Sequence, residues 1–212
     1  MIEKAVANLT HRGWASFTGT LEQVTDYAKR AGWETVPLRR GDPAVSDLRP
    51  MSVAKARANS MSSRTGIGPQ PLHTDGAHLK NPPHVIALES TRAQSAGTRL
   101  WSANCSDVPW GDLRHGIFRV SDGRSWWHAL AADNGAIRFD PCCMIALDER
   151  ARRAVRFFAS IRKSGQRHEW RADAPEVLLI DNRRALHARE AVDPADPERH
   201  LRRIAFRRDV TT

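Results

Sequence analysis

Apolar and polar positions alternate in short runs along most of the chain, and only a few stretches carry the i, i+3, i+4 spacing of a helix. Ile2 to Leu9 reads as a short helix stopped near Gly13, and Trp14-Ala15-Ser16-Phe17 reads as a strand. Thr20-Leu21-Glu22-Gln23 has the form of a capping box, opening a helix that runs to about Arg30 and stops at Gly32. Thr35 to Leu38 follows as a strand or edge segment. Residues 40 to 71 are polar and irregular, with a possible short helix over Val53 to Ala58, and could form part of a lid. Strand candidates then crowd together: His84 to Leu88, Thr98 to Trp101, Gly116 to Val120, Ser125 to Leu130 and Ala136 to Phe139. Ala151, Ala154, Val155, Phe158 and Ile161 recur at helical spacing, giving an amphipathic helix with its arginines outward. His168 to Ala172, Glu176 to Ile180, a strand around His187, and Leu201 to Arg207 complete the pattern. Many short strands with one long helix predict a mainly β, jelly-roll-like fold with peripheral helices.

Composition narrows the class. The 212 residues fit one domain, with residues 1–60 packing as helices and strands on a jelly-roll core over 61–212. The hydrophobic fraction of 41% and seven Trp argue for a folded chain. No apolar run approaches the roughly 20 residues needed to span a bilayer, and Met1-Ile2-Glu3-Lys4 does not begin a secretory signal. Cys105, Cys142 and Cys143 are odd in number, two are adjacent, and they lack zinc-site spacing. A reducing cytoplasm is expected.

The net charge is +9 (33 − 24), with the basic excess mostly in Arg150 to Lys163 and Arg183 to Arg208. Such a balance suits an anionic partner or a solvated basic surface. The tryptophans are not interleaved with the basic runs, so a base-stacking platform for nucleic acid is not expected.

His73-Thr74-Asp75 carries the most specific chemistry. On a strand, residues i and i+2 share a face, so an imidazole and a carboxylate can meet one ion. With nine His and fifteen Asp in the chain, chance supplies about 0.6 of such a triplet, so a second histidine in the right context must support it. His187, just beyond the apolar run Val177-Leu178-Leu179-Ile180, is that candidate. Two histidines and one carboxylate on one side of a metal leave positions open, an arrangement that favours non-haem Fe(II).

The flanks strengthen the reading. Pro71-Leu72-His73-Thr74-Asp75-Gly76-Ala77-His78 and Asn81-Pro82-Pro83-His84-Val85 are followed by Asp181-Asn182-Arg183-Arg184-Ala185-Leu186-His187-Ala188-Arg189. Asp196-Pro197-Glu198-Arg199-His200-Leu201-Arg202-Arg203-Ile204 comes last. Together they resemble the Fe(II)/2-oxoglutarate dioxygenases of the taurine dioxygenase superfamily, in particular its clavaminate synthase and asparagine oxygenase branch. The resemblance covers roughly residues 60 to 208. It implies a double-stranded β-helix with Fe(II) in its mouth, held by His73, Asp75 and His187. It implies 2-oxoglutarate and O2 as cosubstrates, with succinate and CO2 released. Relatives that halogenate lack the carboxylate ligand, so Asp75 favours hydroxylation or desaturation.

By the same resemblance Arg199 grips the C5 carboxylate of 2-oxoglutarate, and a guanidinium matches that group with two parallel hydrogen bonds. Arg203, four residues on and on the same strand face, meets the C1 end or a substrate carboxylate, while Arg202 faces away and is solvated. Gly97-Thr98-Arg99 can be aligned two ways, so either Thr98 or Arg99 assists at the C5 carboxylate. His78 falls on the face opposite Asp75, in a supporting or surface role. Arg64, Arg138 and Asp140 line the substrate pocket in this reading, and His11, His84, His115, His128 and His168 are structural. The expected substrate is a small polar or anionic molecule, such as an amino acid or related metabolite. Two alternatives stand: the same chemistry on a carrier-tethered or macromolecular substrate, or a basic nucleic-acid-binding β-protein whose His-x-Asp is coincidental.

Overall fold

Local signals set the first elements. The structure, a computed structural model, describes residues 1–103, 107–161, 168–172, 175–194 and 199–208. Helix α1 (Ile2–Arg12) ends where Gly13 turns left-handed at φ 83° and returns its N–H to the Leu9 carbonyl, a closure open to glycine because it has no Cβ. Strand β1 (Trp14–Phe17) follows. Thr20 caps α2 (Leu21–Arg30): its hydroxyl accepts from the Gln23 N–H while the Gln23 side chain accepts from the Thr20 N–H, which is the expected box.

The next stretch departs from expectation. The strand over Thr35 to Leu38 shrinks to β2 (Glu34–Thr35), and the region expected to be irregular contains β3 (Val45–Leu48) and the short α3 (Ser62–Thr65), while the short helix expected over Val53 to Ala58 is a 3-10 turn at Val53–Lys55. Strand β3 has little apolar pattern of its own, and its pairing to a distant strand at the sheet edge makes it a strand. Beyond it come β4 (Val85–Ser90), β5 (Thr98–Ser102), α4 (Trp110–His115), β6 (Ile117–Ser121) and β7 (Trp126–Leu130). The chain continues through β8 (Ala132–Asp133), β9 (Ala136–Ile137), β10 (Met144–Ala146) and α5 (Glu149–Ile161). It ends with β11 (His168–Trp170), β12 (Glu176–Asp181), β13 (Ala185–Arg189) and β14 (Leu201–Arg207). Helix α4 and strands β8 and β10 have no counterpart among the expected segments.

Two antiparallel sheets enclose the core. The larger runs β1-β12-β4-β14-β2, with β3 also pairing β14, and the smaller runs β11-β5-β13. Between them Ile86, Leu88, Leu178, Ile180, Leu201 and Ala205 of the larger sheet meet Leu100 and Ala185 of the smaller. The opposite face of the larger sheet, with Val85, Ala87, Ile204 and Phe206, packs under α1 and α2 through Leu9, Leu21 and Val24. The outer face of the smaller sheet, with Trp101, Leu186 and Ala188, is covered by Ala154, Phe158 and Ile161 of α5. Each large side chain so buried contributes roughly 1.5–3 kcal/mol. The result is the expected jelly roll with helices outside. No helix is long and apolar enough to cross a membrane.

The period of two along β14 decides where its arginines go. Leu201 and Ala205 point inward, so Arg199 and Arg203 share that face, and Arg202 points out. Arg202 is not solvated there, contrary to expectation. Its guanidinium pairs with the buried Glu89 on β4 and reaches Glu22 on α2 at 3.0 Å. Glu89 also accepts the Leu21 N–H at 3.0 Å, so one buried carboxylate joins sheet, arginine and the first turn of α2. Breaking a buried pair on one side costs ~3–5 kcal/mol, and partial exposure of Arg202 discounts that to about 2 kcal/mol. Arg202→Ala should therefore lower the denaturant midpoint by that equivalent and leave ligand binding at the inner face unchanged; an undiminished midpoint would show that Glu89 does not depend on this pair.

Candidate functional site

The site begins with a main-chain exchange. His73 donates its N–H to the His187 carbonyl at 3.0 Å and accepts the His187 N–H at 3.1 Å. The strand expected over His73 to Asp75 goes no further than this one bridge. Thr74 turns to the other side, its N–H to the Phe139 carbonyl at 2.7 Å and its hydroxyl accepting the Phe139 N–H at 3.2 Å. Asp75 opens a turn that Gly76 takes through φ 70°, where a Cβ would stand 2.9 Å from Pro83. A side chain replaces the missing strand partner. Asn182 accepts the Asp75 N–H at 3.0 Å and donates to the Asp75 and Pro83 carbonyls, each at 2.9 Å.

This scaffold brings His73, Asp75 and His187 together, with one ligand atom from each lying within 4.8 Å of the others. The His73 Nε2 is 3.7 Å from Asp75 Oδ1, and the His187 Nε2 is 3.6 Å from Asp75 Oδ2. All three residues are buried. The His73 Nδ1 lies 3.0 Å from the Pro71 carbonyl. A carbonyl can only accept, so Nδ1 carries the proton and Nε2 keeps its lone pair toward the cluster. Burial would raise the pKa of Asp75, but the Arg203 guanidinium, and after it the two imidazoles, hold that carboxyl well below the usual range. Burial, aided by the charge of His187, pushes the His73 pKa down. The cluster therefore offers a carboxylate and a neutral imidazole, the forms that bind metals. Two imidazoles and one carboxylate converging from one side fit a divalent first-row ion, Fe(II) among them.

Across the interior, Arg199 is buried, and its Nη2 donates to the Thr98 hydroxyl at 2.8 Å and its Nε to the Ala96 carbonyl at 3.0 Å. No acid pairs with it among the described residues, and burial, then the charge of Arg189, bring its pKa down to about 10. A buried guanidinium without an acid, with a hydroxyl beside it, is suited to an incoming carboxylate. Of the two possible alignments at this strand, the structure brings Thr98 to Arg199. Arg99 faces away, with Nε 2.6 Å from Glu190 and Nη2 donating to the Gln70 carbonyl at 2.5 Å. Arg203 reaches both oxygens of Asp75, at 3.1 and 3.0 Å.

Other candidates are engaged elsewhere. His78 bonds the Leu38 carbonyl at 2.9 Å. Arg138 donates to the Ala77, Leu79 and Lys80 carbonyls, pinning the turn that follows Asp75. Arg64 holds the Pro141 and Cys142 carbonyls. Asp140 follows Phe139 and so flanks His73, accepting the Cys142 N–H at 2.7 Å. Cys142 and Cys143 are free thiols, and burial raises Cys142 to about 11 and Cys143 further; Cys105 lies outside the described residues. Asn182 and Arg189 have structural parts here that the sequence reading did not assign, although both stand within the block ending at Arg189. Their partners lie about a hundred positions away in the chain, at Asp75 and at residues 66–68.

No family model matches the chain, and no curated protein matches it in sequence. Solved structures do match. Asparagine oxygenase in complex with Fe(II), 2S,3S-3-hydroxyasparagine and succinate is 21% identical with a TM-score of 0.60, over 76% of this chain and 56% of that one. The present chain thus spans little more than half of asparagine oxygenase. PvcB, an Fe, alpha-ketoglutarate dependent oxygenase from an isonitrile synthetic pathway, is 17% identical with a TM-score of 0.68, over 99% of this chain and 83% of that one. The non-heme iron oxygenase OrfP, in complex with Fe, succinate and (3S)-hydroxy-L-Arg, is 15% identical with a TM-score of 0.71, over 99% and 80%. At these identities the likeness is one of fold: the chain has the jelly-roll fold of these iron oxygenases.

Proposed function

We propose that this protein is an Fe(II)- and 2-oxoglutarate-dependent oxygenase, a single domain over residues 1–212 that hydroxylates or desaturates a small molecule such as an amino acid. The observation that carries the reading is the pairing of two sites in one interior: the His73, Asp75, His187 cluster and, with Thr98, the buried Arg199, which has no acid beside it among the described residues. The solved relatives, bound to iron with succinate beside hydroxylated asparagine or arginine, agree with it.

His73, Asp75 and His187 would hold Fe(II). Bound together, Fe(II) and 2-oxoglutarate supply oxygen-activating chemistry that releases succinate and CO2 and oxidises a substrate C–H bond. The protein's part is placement. The Pro71 carbonyl fixes the His73 tautomer, Asn182 fixes the Asp75 backbone, and Arg203 keeps the Asp75 carboxyl ionised. Arg199, with the Thr98 hydroxyl, binds the C5 carboxylate. Arg199 stands by Thr98 and Arg203 by Asp75, so the two arginines would attend different ends of the bound dicarboxylate. Arg203 attends the end nearer the metal. Arg203 and Asp140 both lie within charge range of Arg39 at this end, which suits a polar substrate. The free thiols Cys142 and Cys143 fit a reducing cytoplasm.

Replacing His73, Asp75 or His187 with alanine should lower iron occupancy and abolish 2-oxoglutarate-dependent succinate release; full turnover in His187→Ala would remove the metal assignment. Zn(II), Co(II) or Ni(II) should occupy the same ligands and inhibit.

Arg199→Ala should weaken 2-oxoglutarate binding roughly 100-fold, since breaking a buried charge pair costs about 3 kcal/mol and each 1.4 kcal/mol is tenfold. Arg199→Lys should lose less, and Thr98→Val, missing one hydrogen bond worth about 1 kcal/mol, should lose roughly fivefold. Titrating 2-oxoglutarate at matched iron loading checks the order. Near-normal binding by Arg199→Ala would place the anion elsewhere.

A further inference from the structure

Arg189 is a buried cation that neither the metal cluster nor the Arg199–Thr98 pair explains. It follows His187 by two residues on β13 and stands opposite Thr98 in the strand register, so it shares their inward face. Its side chain donates to three consecutive carbonyls: from Nη2 to Gly66 at 2.6 Å and Gly68 at 2.9 Å, and from Nη1 to Ile67 at 3.3 Å. No acid pairs with it among the described residues. The main chain joins the same two segments, the Gln70 N–H donating to the Arg189 carbonyl and the Val192 N–H to the Ile67 carbonyl, both at 2.9 Å.

What these bonds hold is the approach to the metal cluster. The gripped stretch, residues 66–70, leads through Pro71, whose carbonyl sets the His73 tautomer, to His73 itself. Among the described residues the partners of Arg189 are neutral carbonyls, and a buried guanidinium without an acid is costly unless an anion shares its charge. Arg199, also without an acid among the described residues, lies close enough for the two charges to oppose each other.

We propose that Arg189 is a positioning residue that ties the His73 loop to the His187 strand and adds its charge to that of Arg199 in holding the anion, so that metal affinity and anion affinity depend on one side chain. The inference rests on the metal and 2-oxoglutarate reading of the site. Two variants separate the two parts. Arg189→Lys keeps the charge but cannot span three carbonyls, and Arg189→Met removes both.

The probes are Co(II) alone, followed by its visible absorption, and then 2-oxoglutarate added to the Co(II)-loaded protein. Both variants should bind Co(II) about 10- to 100-fold more weakly, as when a residue supporting a metal ligand is lost. Arg189→Met should bind 2-oxoglutarate more weakly than Arg189→Lys does. Folded variants with wild-type Co(II) affinity and only a lowered unfolding temperature would overturn the proposal and reduce Arg189 to a structural staple. A wild-type protein that binds neither probe would instead overturn the reading of the site itself. If neither variant folds, hydrogen exchange on the unsubstituted chain decides. Co(II) should slow exchange at the Gln70 and Val192 amides, because metal binding requires the loop in place. Exchange indifferent to Co(II) would overturn the proposal.

Discussion

The reciprocal main-chain bonds between His73 and His187 are the constraint on which the site depends. They join residues that no local element could bring together, and they do so at the one position where both imidazoles project to the same side. Everything near them supports that exchange. Asn182 replaces the strand partner that Asp75 lacks, Thr74 anchors on Phe139, and Arg138 fastens the turn beyond. Each bond is worth only about 1 kcal/mol net. Their joint effect is larger, because they remove the alternatives in which the carboxylate would point to solvent.

Charge is distributed by the same geometry. Strand β14 is two-faced: Arg202 works outward on Glu89 and α2, while Arg203, and Arg199 just before the strand, work inward. Outward and inward arginines meet different fates. Arg202 has two carboxylates and stabilises the fold, and Arg203 has Asp75. Among the described residues Arg199 and Arg189 have hydroxyl and carbonyl oxygens only. A fold seldom leaves guanidinium groups buried without acids unless something anionic is to come, and here two of them stand at the same end of the interior. Stability and the candidate site thus draw on adjacent residues of one strand, kept apart by the alternation of its side chains.

Much of the fold could be read from the chain because its signals are local. Gly13 closing α1, the Thr20–Gln23 box opening α2, and the apolar spacing of α5 depend on residues within a turn or two of each other. The strands β1 and β14 follow their alternation closely. What escaped was non-local. Strand β3 exists because β14 offers it an edge, and α4 and β10 are short elements with little periodicity. The expected strand through Asp75 ends at His73, because Gly76 turns the chain and Asn182, far along the sequence, takes up the hydrogen bonds.

By itself the sequence determined the fold class, the candidate ligands and the inward pairing of Arg199 with Arg203, since alternation along a strand assigns faces without reference to anything distant. It could not choose between Thr98 and Arg99, because the choice depends on which side of β5 turns toward β14. Tertiary structure alone set Thr98 against Arg199 and Arg99 against Glu190. It likewise placed Arg203 on Asp75, Asn182 behind the turn and Arg189 on the loop before His73. These pairings join residues some 90 to 130 positions apart. Their partners are fixed by how two sheets close on a common core, a packing decision that no local pattern encodes.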